Sequence, residues 1–333
     1  MRIATYNVEW FNSLFDDDGA LIGGGSWSSR RDVTKAQQTQ AVGHVFRAMD
    51  ADAIMVIEAP DTSRQRDGVR ALEGFARQFD LRARRALMGF ANDTQQEITL
   101  LYDPDVLSAR HDPQASTAAP GFNTEFAIDL DIDAEADVVS FSKPPLEVAV
   151  ETAAGFAFRM IGVHAKSKAP HGARSPDEVM RLSIANRRKQ LAQCIWLRAR
   201  VSAHLEAGDP MIVLGDFNDG PGLDEYEKLF GRSSVEIVLG EGDSALFDPH
   251  ARAALTQRIG AVPTSSRFFL AHENRYLQAL LDYIMVSPEL RQMQPNWRIW
   301  HPFEDAGCFH MPELREALLT ASDHFPVTLD LQL

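Results

Sequence analysis

Met211-Ile212-Val213-Leu214 is an uninterrupted apolar run that stops abruptly at Gly215-Asp216-Phe217-Asn218. A run this short, closed by turn-forming residues, suits the buried middle of a sheet rather than a helix. Similar β-rich runs are predicted at 2–8, 53–59, 97–102, 126–132, 146–150, 156–165, 280–286 and 327–331. Some alternate, as in Phe126-Ala127-Ile128-Asp129-Leu130-Asp131-Ile132, where apolar residues fall on one face and the other face is left to solvent.

Helical spacing separates these runs. Val42, Val45, Phe46 and Met49 mark a helix over 37–49, and Leu72, Phe75 and Phe79 mark another over 69–79. The longest helix is predicted to start after Ser175 as N-cap, with Pro176 in its first turn and Asp177 and Glu178 complementing the dipole. Glu178 is placed for a capping box, and the helix is expected to reach about Leu205. Met180, Ile184, Leu191 and Ile195 form its apolar stripe, and Arg181, Arg187, Arg188, Lys189, Arg198 and Arg200 its other face. That cationic face is either a surface that steers a polyanion or a solvated helix face. Loops are expected at 16–32 and 111–124. With no repeat and no linker, the whole chain, 1–333, is expected to be one domain of two layered sheets with outer helices.

Of the 333 residues, 45% are hydrophobic and 24% charged, the profile of a globular chain. No apolar run of about 18 residues exists, so no membrane-spanning helix is expected. The start shows no secretory signal, and a cytoplasmic location is expected. The two cysteines, Cys194 and Cys308, rule out a disulfide framework and a cysteine-type zinc site. With 47 acids against 33 bases the net charge is −14, which argues against a tight, unaided grip on nucleic acid. A hydrolase that meets polyanions through local basic patches and a divalent metal remains compatible with it. A monomer is expected.

Polar residues capable of holding metal or phosphate close several of the strand-like runs: Asn7 and Glu9, Glu58, His164, Asp216 and Asn218, Asp282, and Asp323 and His324. A carboxylate directly after a buried run, as in Ile54-Met55-Val56-Ile57-Glu58, is costly without a compensating cation. Hydrolysis of a phosphate ester needs such a set. A hard cation takes one or two carboxylates, another carboxylate orients or deprotonates water, and donors meet the charge growing on phosphorus. The chain has no HExxH, GxSxG, GxxxxGK[ST] or strand-linked glycine fingerprint. Since no activated Ser, Cys or Thr joins the set, in-line attack by water is expected.

The order Asn7, Glu58, His164, Gly215-Asp216-Phe217-Asn218, Leu281-Asp282-Tyr283, Ser322-Asp323-His324 resembles the endonuclease/exonuclease/phosphatase (DNase I-like) superfamily. The resemblance runs from residue 3 to about residue 330. It implies an α/β fold, a four-layer sandwich of two mixed β-sheets flanked by helices, with the site at their shared edge. It also implies that Glu58 is the main ligand of Mg²⁺ (or Mn²⁺), with Asn7 and Asp323 beside it. Asp216 would orient or deprotonate water, and Asn218 would hold a phosphate oxygen or position Asp216. His164 and His324 would contact the phosphoryl group, with Asp282 keeping His324 protonated. In the DNase-like branch a second Glu pairs with the first His, and Glu97 is the candidate here. The chain departs from the family in carrying Ile57 where Gln is frequent before the Glu, and it lacks the inositol-phosphatase segment.

Candidate substrate contacts are Lys166 and Lys168 after His164, Arg187 on the long helix, and Trp27 and Arg30 in the first loop. Trp27 would stack on a base and the cations would meet phosphate. The expected substrate is a nucleic acid or another phosphodiester. Two other readings are the same chemistry on a small-molecule or lipid phosphate ester, and a catalytically retired binding module.

Overall fold

The structure is a computed structural model, and it describes residues 1–92, 94, 96–129, 137–170, 172–221, 231–256, 261–270 and 273–333. The second half of the run expected at 126–132 lies outside the described residues from 130 onward.

Two mixed sheets carry the fold. The first has the order β14-β15-β1-β2-β4-β3, formed by Asn296–Ile299, Val327–Asp330, Arg2–Asn7, Ala53–Ala59, Glu97–Tyr102 and Arg85–Met88. The second has the order β13-β10-β9-β8-β5, formed by Asp282–Val286, Met211–Asp216, Ala157–His164, Leu146–Thr152 and Leu107–His111. Two hairpins stand apart: β6 with β7 (Phe126–Ile128, Asp137–Val139), and β11 with β12 (Ser266–Leu270, Arg275–Ala279).

Side chains alternate across a strand, so each solid apolar run feeds two interfaces. Ala53, Met55 and Ile57 of β2 meet Ile212 and Leu214 of β10 in the core between the sheets. Ile54 and Val56 point the other way, onto α1 (Lys35–Met49), α2 (Gly68–Gln78) and the helix Pro312–Ala321. Met211 and Val213 face α3 (Pro176–Glu206) and the helix Ser234–Leu239. The layers are therefore helices, sheet, sheet, helices. Gly162 lets the sheets approach closely, since a Cβ there would press on Met55 and Ile98 across the core.

The long helix begins as expected: Ser175 Oγ accepts from Glu178 N at 3.2 Å. The Glu178 carboxylate accepts instead from Arg174 N, one residue before the cap. Its charge distribution differs more. Arg187 and Arg200 are buried, Arg187 against Asp219 (2.7 Å) and Arg200 against Glu147 (2.9 Å). Arg198 donates to the carbonyls of Val238 and Leu239. Half of the expected cationic face thus braces the interior, while Met180 of the expected apolar stripe is exposed. The cause is the inner wall of the sheet region, which offers buried carboxylates and free carbonyls that only cations satisfy. No described helix is long and apolar enough to cross a membrane.

Candidate active site

Strand register assembles the site. β9 and β10 run parallel with Asp216 opposite His164, and β13 runs antiparallel to β10 with Asp216 opposite Asp282. Three chemically active side chains therefore sit side by side at one end of the second sheet. In the first sheet β1 and β2 are parallel, with Asn7 opposite Ile57. β15 is antiparallel to β1, which brings residues 323–324, just before it, to the Asn7 end. At Glu58 the register with β4 slips in a bulge, and Glu58 takes φ +62°. A bulge re-aims a side chain; here it directs a carboxylate out of a buried run. Trp10 and Asn218 also adopt the left-handed region (φ +57° and +51°). Such strained non-glycine positions concentrate at functional sites.

The strand ends open into a cavity of about 630 Å³ lined by Asn7, Glu58, His164, Asp216, Asn218, Asp323 and His324. Asn7 Nδ2 donates to Asp216 Oδ2 (2.9 Å), and Asn218 N donates to Asp216 Oδ1 (2.7 Å). Asn218 Nδ2 bonds the Ala165 carbonyl (3.1 Å). His324 Nδ1 lies 2.8 Å from Asp282 Oδ2, which also accepts from Ser265 Oγ at 2.8 Å. The ring Nε2 of His164 is 3.6 Å, and that of His324 4.0 Å, from Asp216 Oδ2.

The two histidines are shifted in opposite directions. Burial opposes a charge on His324, but Asp282, Asp216 and Asp323 outweigh it and raise the imidazole well above its ordinary range. His164 is pushed well below that range by burial, by Lys143 and by His324, so it is neutral. The condition that a neighbouring acid hold a histidine charged is met at His324 by Asp282, whereas His164 lies against an ammonium as well as 3.6 Å from Asp216. Lys143 Nζ stands 3.2 Å from each ring nitrogen of His164.

The acids are crowded. Burial raises Glu58, lifts Asp323 to about 7, and lifts Asp216 to about 6. Buried carboxylates around one cavity call for a compensating cation. Asn7 Oδ1 is buried without a hydrogen-bond partner and lies on the residue already fixed to Asp216. Asn7, Glu58 and Asp323 are all oxygen donors, the set that Mg²⁺ or Mn²⁺ prefers. Asp216, Asp282 and His324 also bring ligand atoms within 4.8 Å of one another. The bond between Asp282 and His324 already occupies that trio, which makes it an acid–imidazole pair abutting Asp216.

Other expected contacts fall elsewhere. Glu97 is buried and accepts from Asn92 N (3.2 Å) and Nδ2 (2.6 Å), so it holds Asn92 rather than His164. Lys166 lines the cavity, but Lys168 is held by Asp219 (2.6 Å). Arg187 is 1% exposed on the same Asp219 and lies behind the cavity. Arg30 is ion-paired with Glu9 and donates to the Leu319 carbonyl (2.6 Å). It meets the site through Glu9, which lines the cavity. Trp27 is 70% exposed and is not among the lining residues.

Sequence reasoning missed four participants. Lys143 and Phe268 line the cavity. Ser265 orients Asp282, and Ser322 Oγ donates to the Asn7 carbonyl while accepting from Glu9 N and His324 N. Of these only Ser322 sat inside a recognised motif.

A model of the endonuclease/exonuclease/phosphatase family matches residues 4–324. The chain belongs to that family. Endonuclease/exonuclease/phosphatase enzymes are phosphoric ester hydrolases, generally dependent on a divalent metal, and act on nucleic acids or other phosphoesters. The DNase I-like fold of the family is shared with solved structures. An AP endonuclease from Archaeoglobus fulgidus superposes with a TM-score of 0.53 at 12% identity, covering 100% of both chains. The Xenopus laevis APE2 catalytic domain gives 0.51 at 15% identity, covering 99% of this chain and 91% of that one. A Bacteroides thetaiotaomicron mannosyl-6-phosphatase gives 0.50 at 15% identity, with 100% of both chains covered. No curated protein matches the sequence.

Proposed function

We propose that this family member is a nuclease that hydrolyses phosphodiesters with Mg²⁺ or Mn²⁺. The observation that carries the reading is the bond from Asn7 to Asp216, which joins the oxygen-donor set to the water-activating carboxylate and leaves Asn7 Oδ1 pointing to no protein partner. Glu58, Asn7 and Asp323 would hold the ion, which supplies Lewis-acid charge to the phosphoryl oxygens. Asp216, kept in place by Asn7 and Asn218, orients the attacking water and takes its proton. Protonated His324, held by Asp282, donates to a phosphoryl oxygen. Neutral His164 accepts or donates according to its tautomer, and Asn218 keeps the Asp216 carboxylate fixed. Lys143 adds a positive charge beside His164. No protein nucleophile takes part.

Lys143, Lys166 and Lys189 in the cavity lining favour a polyanionic substrate despite the net charge of −14. The interior use of Arg187 and Arg200 favours a second reading, hydrolysis of a small phosphate ester, because those cations do not reach a bound polymer. A panel of plasmid, single-stranded DNA, RNA and a sugar phosphate, each with Mg²⁺, Mn²⁺ and Ca²⁺, tests the choice. Cleavage of nucleic acid lost in Asp216→Ala supports the nuclease; turnover of the sugar phosphate alone refutes it.

A further inference from the structure

The β11–β12 hairpin is stitched to the active site. Arg267 N donates to the Asp323 carbonyl (2.7 Å), and Phe325 N donates to the Ser265 carbonyl (2.6 Å). Alternation along β11 gives the hairpin two faces. Phe268 turns to the cavity, where its ring meets His324 edge-on at 5.3 Å. Arg267 and Phe269 turn to the other face. There the Arg31 guanidinium lies 3.7 Å over Phe269, and the Phe269 and Tyr276 rings meet at 5.2 Å. Arg267 lies 3.4 Å over Tyr276 and 5.5 Å from the Phe303 ring. Arg31 also bonds Asp32, whereas no carboxylate among the described residues pairs with Arg267. Tyr276 and Phe303 are 48% and 45% exposed. An acidic protein has thus placed a ladder of guanidinium and aromatic groups, Arg31, Phe269, Tyr276, Arg267 and Phe303, on and against a hairpin bonded to residues 323–325.

We propose that this hairpin is the specificity element of the site, a stacking platform for the single-stranded nucleic acid that continues beyond the scissile phosphate. The inference rests on the nuclease reading. Flat aromatic and guanidinium faces bind bases without regard to sequence, and an unpaired arginine meets the backbone. A small phosphate ester would reach Phe268 but not the outer ladder.

The test compares a fluorescent 12-nucleotide DNA with a dinucleoside monophosphate, both with Mg²⁺. In Tyr276→Ala and Arg267→Gln the ratio of kcat/KM for the 12-mer to that for the dinucleotide falls about tenfold. Arg267→Gln also flattens the salt dependence on the 12-mer, by about 0.7 in log–log slope. Arg267→Lys keeps that slope but lowers the ratio, because it retains charge and loses the plane. Equal losses on both substrates, or no change in either, would mean the ladder only stiffens the hairpin and would overturn the proposal. So would binding to phosphatidylserine vesicles abolished by Tyr276→Ala, which would assign the ladder to a lipid surface. A wild type that cleaves both substrates without favouring the 12-mer overturns the platform alone. A wild type inert on both overturns the nuclease reading, and the platform with it.

Discussion

The Asn7 amide donates to Asp216 Oδ2 at 2.9 Å across 209 positions of sequence. This bond ties the end of β1 in one sheet to the end of β10 in the other, at the floor of the cavity. It fixes the Asp216 carboxylate, which we propose activates water, and leaves Asn7 Oδ1 buried without a hydrogen-bond partner. Replacing Asn7 with Ala removes both. We expect kcat to fall about 10²–10³-fold, with the melting temperature little changed because the buried area lost is small. Steady-state kinetics on the cleaved substrate, paired with a thermal melt, reads both quantities.

Asp282 acts through His324, which it approaches at 2.8 Å. Asp282→Asn keeps the shape but withdraws the negative charge that holds the imidazole protonated. A drop of about 10²–10⁴-fold in kcat is expected, with a much smaller change in KM. A change in KM alone would show that His324 binds rather than catalyses.

Gly215 adopts φ +139°, and a Cβ there would collide with the Val163 carbonyl of the neighbouring strand. Gly215→Ala is therefore strained by both backbone and contact. A loss of roughly 3 kcal/mol or more is expected, visible as a lower midpoint in denaturant.

Much of this arrangement was legible because the chemistry sits where strands stop. β2 and β4 have the expected bounds, and the segments that close on Asn7, Glu58, His164, Asp216, Asp282 and His324 all reach one edge. Short charged strands were not legible. Leu107-Ser108-Ala109-Arg110-His111 buries Leu107 alone and is absent from the predicted runs, although it pairs with β8 over five positions. Arg187 was misplaced because helical periodicity defines a face without saying that Asp219 waits beneath it. Lys143 was invisible because its segment, Ser142-Lys143-Pro144-Pro145, has no period, and only tertiary packing sets it beside His164.

The proposed ion site has a readout that needs no turnover. Binding to the folded state alone raises stability with ligand concentration. Saturating Mn²⁺ is expected to raise the melting temperature by about 2–6 °C. Glu58→Gln replaces the re-aimed carboxylate by an amide and should abolish most of the shift. Excess EDTA should reverse the wild-type shift and stop hydrolysis. A full shift in the variant would move the ion away from Glu58.

Glu97 makes stability depend on pH in a direction opposite to that of a salt-bridged acid. Burial lifts its carboxyl from 4.5 to about 7, with Asp61 adding to the rise and the Asn92 backbone amide opposing it. Between those values the unfolded chain has released the proton while the folded chain keeps it, so more protons are bound in the native state. Stability then falls as pH climbs from about 4.5 to 7 and levels off above. The contribution of this one group is roughly 1–3 kcal/mol. Glu97→Gln has no proton to lose. Its stability relative to wild type should rise across that window by the same amount, even though it gives up one of the two bonds from Asn92. Urea unfolding at a series of pH values measures the difference directly. Parallel curves for the two proteins would mean that Glu97 is ionised throughout and that the Asn92 turn compensates it.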